Sequence, residues 1–374
     1  MFLGGGFAAT GLSFAVATII AASLGGCACL NQAATRQFAL DDAARILPFH
    51  QMILKKLFLG AAAIAAIAVG PAAESRKSNP FDFEPNPAIW KLSDEDTTIY
   101  LFGTVHVLPK KLKWQSKAFK AIVKEVDTLV VETTETDEEA EASFEKLFDE
   151  MIVKGLEQKP LVDRVAPENR DILKQLAKEI AIPMELLDLM PAWLVPFMVY
   201  YQSIDSSDVS GKYGVESVLE AKFRRAKKPI LSIEDGDAVF TSLSALPEEE
   251  QLVMVNDMLA EMREAVAEDP ASLVPAKEKE KKQKQPAGEE HADDISWAKG
   301  DTSALVSELT EEALGKGMYK ALLTDRNAAW TGWLIKRLET PGKILVAVGA
   351  GHLAGDDSVQ KMLEARGMTV KRIH

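Results

Sequence analysis

Two histidines stand in the same local pattern at distant points of the chain. Gly103 and His106 lie in the segment YLFGTVHVL, and Gly349 and His352 lie in VAVGAGHL. In both segments an apolar run ends in Gly-x-x-His. Imidazole nitrogens bind divalent transition metals and transfer protons near neutral pH. The whole chain has five histidines, so the repeated setting of these two makes them the leading candidates for chemistry.

Two glutamates follow apolar runs in a comparable way: Glu132 ends TLVVE and Glu234 ends PILSIE. Two imidazoles with one or two carboxylates can bind a divalent transition metal ion (Mn, Co, Zn or Fe) and leave one position open for water. Water on such an ion is a nucleophile near neutral pH, and a spare carboxylate can be its general base. We therefore predict His106, His352 and Glu132 as metal ligands, with Glu132 and Glu234 as candidate catalytic carboxylates.

Arg326 is the third kind of candidate, flanked by Asp325 and Asn327 in the segment DRNAAW. A guanidinium group pairs with two oxygens at once, so Arg326 could orient a substrate or stabilise developing negative charge. Asp325 and Asn327 would support it. The alternative is a surface arginine that stacks on Trp330, because residues four apart share one face of a helix.

Each carboxylate and imidazole also has a purely structural interpretation. A histidine at the end of a strand is commonly a hydrogen-bonded structural residue. Glu132 could cap the turn that follows its strand, and Glu234 could cap the helix that begins within EDGDAVF. Spacing by itself leaves these alternatives open.

An α/β architecture would bring the candidates together. From Pro80 onward, short β-branched runs alternate with longer amphipathic segments, which is typical of α/β proteins. If the strands are parallel, their carboxyl ends share one edge of the sheet, where ligand sites form. The predicted strands are Thr98–Phe102, Thr128–Glu132, Pro229–Glu234, Ile344–Val348 and Met368–Ile373; the predicted helices are Ser116–Glu125, Pro167–Ile180, Glu185–Tyr201, Val215–Ala226, Glu248–Ala267 and Met318–Leu338.

The fold that follows is a central mixed, largely parallel β-sheet flanked by helices, with a helical middle section. It contains a weak internal repeat in which a strand, Gly-x-x-His, a helix and a second strand follow one another. The segment Lys277–Asp294 has no apolar residue besides alanine. Such a segment cannot bury enough surface to offset the entropy of ordering, so we predict a flexible insert there.

Composition excludes two classes of protein. The 374 residues include 43 Lys and Arg against 56 Asp and Glu, for a formal net charge of −13. Nucleic-acid binding needs clustered basic side chains, so the acidic balance argues against a nucleic-acid partner. The two cysteines, Cys27 and Cys29, rule out a disulfide framework.

The first 73 residues have the character of a targeting region. Residues 52–73 combine Lys55 and Lys56, an apolar run and a small-residue exit, which is typical of a secretory signal peptide. We therefore predict export to the periplasm, with residues 1–51 a misassigned upstream start. The alternative is a genuine first apolar helix, with LGGC at Leu24–Cys27 as a loose lipobox, that anchors the protein to the membrane.

Four motifs together resemble the TraB/GumN family, which is related to the Tiki metalloproteases and more distantly to erythromycin-esterase and ChaN-like proteins. The resemblance covers Asn86 to Ile373, so the predicted domain spans residues 80–374. Where members commonly have Gly-Val/Leu-Asp, this chain has Gly214-Val215-Glu216. The motifs are YLFGTVHVLP at Tyr100–Pro109, TLVVET at Thr128–Thr133, LTDRNAAWTGWL at Leu323–Leu334 and VAVGAGHLAG at Val346–Gly355.

The resemblance implies that the two Gly-x-x-His motifs act with a glutamate, Glu132 or Glu234, and with Arg326. For Tiki-like members it implies peptide cleavage that depends on a divalent metal. The sequence thus predicts an exported metal-dependent hydrolase, peptidase-like, acting on a peptide or small-molecule substrate. Two alternatives stay open: a non-catalytic periplasmic protein that captures a peptide, haem or metal, and an accessory factor in exopolysaccharide production.

Overall fold

The computed structural model describes residues 80–134, 137–204, 209–268, 291–302 and 310–374. The predicted start region (1–51), the signal peptide (52–73) and residues 277–290 of the predicted insert lie outside these ranges. Within the ranges described, no helix combines the length and the apolar character needed to cross a bilayer.

A six-stranded sheet forms the centre of the molecule, in the order β6-β4-β7-β2-β1-β8. Strands β6, β4, β7 and β2 pair in parallel, and β1 is antiparallel to both of its neighbours. The predicted mixed, largely parallel sheet flanked by helices is confirmed. The strands described are β1 (Ile89–Ser93), β2 (Thr97–Thr104), β3 (Leu108–Pro109), β4 (Thr128–Val131), β5 (Val209–Ser210), β6 (Ile230–Ser232), β7 (Gly342–Gly349) and β8 (Val370–Arg372), with β3 and β5 forming a separate two-stranded sheet.

The two central strands, β2 and β7, are buried on both faces. Ile99 and Leu101 pack on one face with Val346, whereas Tyr100 and Phe102 pack on the other, as the two-residue period of a strand requires. In the parallel register, Gly103 lies beside Val348 and Thr104 beside Gly349. The two Gly-x-x-His motifs therefore begin next to each other at the same edge of the sheet.

Helices cover the sheet and form the middle section. A separate apolar core there is built from side chains between Phe148 and Ala321 in the chain. Short 3₁₀ segments at Pro167–Asn169, Gly211–Tyr213 and Ala350–Leu353 and a π-helical segment at Lys320–Thr324 join them. The helices described are α1 (Lys117–Glu125), α2 (Asp137–Leu156), α3 (Leu161–Arg164), α4 (Arg170–Glu179), α5 (Met184–Leu187), α6 (Leu194–Ile204), α7 (Val215–Ala226), α8 (Ala238–Ser244), α9 (Glu248–Glu268), α10 (Ala292–Ala298), α11 (Glu311–Leu314), α12 (Lys316–Tyr319), α13 (Asp325–Arg337) and α14 (Val359–Ala365).

Two predicted helices are wrong as single elements. The segment Glu185–Tyr201 is divided between α5 and α6, because Pro191 interrupts the helical hydrogen bonds. The segment Met318–Leu338 is divided into α12, a π-helical turn and α13. A π turn inserts one extra residue per turn and is frequent at functional sites, and here it directly precedes Arg326.

The sequence analysis missed β1 and misplaced the end of the charged insert. Strand β1 is a short segment, IWKLS, joined to β2 by a tight turn in which Asp94 Oδ1 accepts hydrogen bonds from the backbone amides of Asp96 and Thr97. The last four residues of Lys277–Asp294 are not a flexible segment: His291 is buried and α10 begins at Ala292. The ring of His291 lies 5.5 Å from that of Phe81, a contact that the polar composition of the insert does not reveal.

Candidate functional site

Arg326, the second residue of α13, lies at the centre of the site. Its Nε donates to both oxygens of Glu234, at 3.2 and 3.1 Å. Its Nη2 donates to Glu132 at 2.6 Å and to Glu234 at 2.5 Å. Its Nη1 donates to the Leu322 carbonyl at 3.1 Å and lies 3.0 Å from Nε2 of His352. Every one of the five guanidinium N–H groups therefore has an acceptor within the protein.

The parallel sheet explains why these partners meet. Glu132 directly follows β4, Glu234 lies two residues beyond β6, and His352 lies in the 3₁₀ segment that follows β7. Because β6, β4 and β7 are parallel neighbours, their carboxyl ends share one edge. The structure thus brings together three of the four side chains that the sequence analysis placed there. Their burial makes the ion pairs stronger than pairs at the surface.

His352 is held as a neutral imidazole. Its side chain is buried beneath Trp330, with the two ring centroids 4.3 Å apart. Burial, together with the nearby Arg326 guanidinium, lowers the pKa of His352 to about 3, although the charge of Glu132 opposes this shift. Nδ1 lies 2.6 Å from Oδ1 of Asn327. The ring nitrogen Nε2 therefore carries the lone pair that accepts from Arg326.

Glu132 is held as a carboxylate. Burial alone would raise the pKa of Glu132, but the charges of Arg326 and His106 and the backbone N–H of Gly349 lower it to about 2. Oε1 accepts a hydrogen bond of 2.6 Å from Gly349. A side chain at Gly349 would place its Cβ 3.1 Å from that same oxygen. The φ angle of Gly349 is negative, so the glycine is favoured here by the close approach of Glu132 and not by the backbone conformation.

Gly103, the other motif glycine, is also a point of close packing. A Cβ atom there would lie 2.9 Å from Cα of Ala350, at the start of the second motif. The carbonyl of Gly103 accepts a 3.0 Å hydrogen bond from the indole of Trp297. The first residue of one motif therefore packs against the second residue of the other, and Gly103 has no room for a side chain.

His106 differs from His352 in exposure and charge. Its side chain is 68% exposed, and its Nδ1 lies 3.0 Å from Oε1 of Glu216. The carboxylate of Glu216 raises the pKa of His106 to about 9, and a weaker attraction to Glu132 adds to the shift. Burial would raise the pKa of Glu216, but His106 lowers it overall. At neutral pH this pair is therefore an imidazolium and a carboxylate.

The sequence analysis did not single out Glu216 as a functional residue. It lies in the first turn of α7, and the backbone N–H of Val215 donates to the carbonyl of Val105 at 3.1 Å, which holds this helix against the loop of His106. A Cβ at Gly214 would lie 2.0 Å from the carbonyl oxygen of His106. In the sequence, Glu216 is marked only by the segment Gly214-Val215-Glu216 at the start of a helix. That pattern is common at helix starts that have no catalytic role.

The remaining predicted residues divide into two groups. Trp330 stacks on Arg326, 4.8 Å from the guanidinium carbon to the ring centroid, and its indole donates to Glu234 at 3.0 Å. This pair is not at the surface, because the Arg326 side chain is only 14% exposed. Asn327 is buried beside His352. Asp325, by contrast, points away from the cluster to an exposed ion pair with Lys320.

The predicted metal ligands do not fit a metal ion in this arrangement. Among the side chains that the structure describes, no group of three or more His, Cys, Asp or Glu residues is placed to hold one. Glu132, Glu234 and His352 direct their acceptor atoms at Arg326, and His106 pairs with Glu216 instead. A guanidinium group is thus the cation among these acceptors, and the metal site stays a prediction.

Comparison with known proteins places the chain in a family. The uncharacterized protein YbaP of Escherichia coli (strain K12) is 21% identical over 271 residues, which is 71% of this chain and 87% of that protein. The YbaP protein of Shigella flexneri matches to the same extent. No solved structure gives a significant match. The sequence model of the TraB/PrgY/gumN family matches residues 88–372, a range that contains His106, Glu132, Arg326 and His352. The chain belongs to the TraB/PrgY/gumN family.

Proposed function

We propose that this protein is an exported hydrolase, peptidase-like, in which His106 is the proton-transfer residue. The observation that carries the proposal is the pair of His106 and Glu216. Nδ1 of an exposed imidazole lies 3.0 Å from Oε1 of a largely buried carboxylate, and this ion pair stands at the carboxyl edge of a parallel sheet. A carboxylate in that position orients the ring and stabilises its charged form, as in other enzymes that use histidine for acid–base catalysis.

The chemistry of hydrolysis suits a histidine in this state. Cleavage of an amide adds water: the oxygen of water bonds to the carbonyl carbon, the C–N bond breaks, and the departing nitrogen gains a proton. Because Nδ1 faces Glu216, Nε2 is the nitrogen through which His106 can meet a substrate. The protonated ring donates its Nε2 proton to the leaving nitrogen, and the proton lost by the water restores the imidazolium.

The buried cluster has a supporting role in this proposal. Arg326 holds Glu132, Glu234 and His352 in fixed positions, and no guanidinium N–H is left to bind a substrate oxygen without giving up a present partner. The negative charges of Glu132 and Glu216 favour the imidazolium form of His106. No step is assigned to a metal ion, because Glu132 and His352 direct their acceptor atoms at Arg326 and His106 pairs with Glu216.

The test is hydrolysis of a mixed peptide library by the full-length protein, with products read by mass spectrometry. H106A should lower kcat/KM by about 100- to 10,000-fold, the usual contribution of a general acid or base. E216Q should lower it less and shift the pH profile. H374A, which removes the histidine at the carboxyl terminus, should leave the rate unchanged. Cleavage that H106A retains in full would contradict the proposal.

One observation favours a second candidate, a non-catalytic periplasmic binding protein. All five N–H groups of Arg326 are already paired, so the cluster offers no free donor to stabilise an oxyanion. A binding protein would retain a peptide from the library without cleaving it. Retention that H106A abolishes, with no product formed at any pH, would favour this candidate over hydrolysis.

Export is tested separately. Residues 52–73 have the order of charged, apolar and small residues that signal peptidases recognise. The mature protein should begin near Glu74 when its amino terminus is sequenced from the periplasmic fraction. A chain that keeps Met1 in the membrane fraction would support the anchored alternative instead.

A further inference from the structure

We propose that Arg326 is the resident cation of the buried cluster, and that it excludes a divalent metal ion from Glu132, Glu234 and His352 unless the guanidinium group is removed by substitution. The proposal concerns what the cluster can bind and holds whether or not the protein is a hydrolase.

The acceptors around Arg326 are those that a divalent transition metal prefers. Two are carboxylates, Glu132 and Glu234, and the third is the Nε2 lone pair of His352. Mixed imidazole and carboxylate sites suit Mn, Fe, Co and Zn. The imidazole is also oriented as a ligand would be, because Asn327 holds Nδ1, and a hydrogen bond at the second ring nitrogen is the usual arrangement for metal-binding histidines.

A guanidinium group and a metal ion cannot share these acceptors. Arginine has no acceptor atom and stays protonated in proteins, so it cannot become a ligand itself. It lies within 3.2 Å of atoms on all three residues, where a second cation would be repelled through a medium that screens charge poorly. Occupation by Arg326 and occupation by a metal ion are therefore mutually exclusive.

Removal of Arg326 would leave the buried cluster with negative charge that no cation balances. Glu132 and Glu234 both bond to its Nη2, so without it two mostly buried carboxylates would face each other with no cation between them. Uncompensated buried charge is strongly unfavourable. A divalent ion would restore the charge balance that the guanidinium group now supplies.

The experiment is a Co²⁺ titration of the full-length protein, followed by calorimetry and by the visible absorption of the bound ion. R326Q and R326A should each bind one Co²⁺ per chain at least about 100-fold more tightly than the unsubstituted protein. The gain should disappear in R326Q/H352A and in R326Q/E132Q. R337Q, which removes an arginine from the exposed end of the same helix, should bind no more Co²⁺ than the unsubstituted protein.

The unsubstituted protein provides a second test that does not depend on how the variants fold. If it takes up one Co²⁺ ion and H352A loses that ion, the metal and Arg326 coexist and the proposal is wrong. If its Co²⁺ uptake is the same with and without H352A, the exclusion is supported. Folded R326Q and R326A that show no gain in affinity would also overturn the proposal.

Discussion

Nδ1 of His352 lies 2.6 Å from Oδ1 of Asn327, and this contact determines which ring nitrogen faces Arg326. The amide group of Asn327 is itself oriented, because its Nδ2 donates to the carbonyl of Asp357 at 2.8 Å. Its oxygen must therefore face the ring, so Nδ1 carries the proton and Nε2 is left as an acceptor. A buried residue outside the two Gly-x-x-His motifs thus sets the chemical state of one motif histidine.

The first prediction concerns this contact. N327A should lower the free energy of unfolding by about 1–3 kcal/mol, because it leaves the buried Nδ1–H of His352 and the carbonyl of Asp357 without their partner. D325A, at the exposed neighbouring position, should change it by less than about 0.5 kcal/mol. Urea denaturation at pH 7 measures both. Equal effects of the two substitutions would show that Asn327 does not orient the ring.

The second prediction is that the pKa values of the two motif histidines are shifted in opposite directions from the ordinary value near 6.5. NMR of the ring protons should show His352 neutral across pH 5–8, because its pKa is lowered to about 3 by burial. His106 should stay protonated above pH 6.5, because Glu216 raises its pKa. Solvent around this exposed ring screens the attraction, so the direction of the shift is the expectation. H106N and H352N assign the signals.

The same shifts give His106 a defined effect on stability. Its pKa is higher in the folded than in the unfolded chain, so the stabilisation is complete below pH 6.5 and is lost as pH rises through the folded value. E216Q should bring the titration midpoint of the His106 ring back toward pH 6.5. It should also reduce the loss of folding stability at alkaline pH. A midpoint that E216Q leaves in place would mean that Glu216 is not the cause.

The third prediction concerns acid. The folded pKa of Glu132 is lowered to about 2, so its ionised form stabilises the protein above pH 4.5, and that contribution is lost as pH falls from about 4.5 to 2. The lowered pKa of His352 adds a loss in the same direction, between about pH 6.5 and 3. Acidification should therefore destabilise the protein in two overlapping windows.

Substitution of Glu132 separates the two contributions. E132Q should lower the free energy of unfolding at pH 7 by about 3 kcal/mol, because the folded protein lowers the pKa of Glu132 from 4.5 to about 2. It should also weaken the further loss of stability between pH 4.5 and pH 2. E179Q, at an exposed glutamate of α4, should leave the acid profile unchanged. Urea unfolding at a series of pH values measures this, and parallel profiles for both variants would contradict the prediction.

The fourth prediction tests the close approach of α7 to His106. G214A would place a Cβ 2.0 Å from the carbonyl oxygen of His106, so it should destabilise the protein by about 1–3 kcal/mol and shift the ring signals of His106. G332A is the matched control, because apart from the adjacent backbone of its own helix no atom lies within 4 Å of its Cβ. Removing a glycine from the interior of α13 should raise the stability by about 0.5–1 kcal/mol. Equal stability of the two variants would contradict the packing seen here.

Much of the architecture could be predicted from the spacing of apolar residues in the sequence. Alternating and continuous apolar runs located β2, β4, β6 and β7, and three- and four-residue spacing located α7 and α9, because these patterns reflect which side of an element is buried. The short strand β1 was missed, since five residues with two polar positions carry little signal. The buried position of His291 was also missed, because it depends on packing against Phe81 from a distant part of the chain.

The sequence by itself determined which residue types stand at the ends of the parallel strands, and with them the candidates His106, Glu132, Glu234 and His352. Only the tertiary structure decided which of them pair. Glu216 comes to His106 from a helix more than a hundred residues away in the chain, and Arg326 comes to Glu132 from nearly two hundred. Periodicity reports local conformation and burial, whereas pairing depends on which charges compete for the same buried space, and that competition exists only in the folded chain.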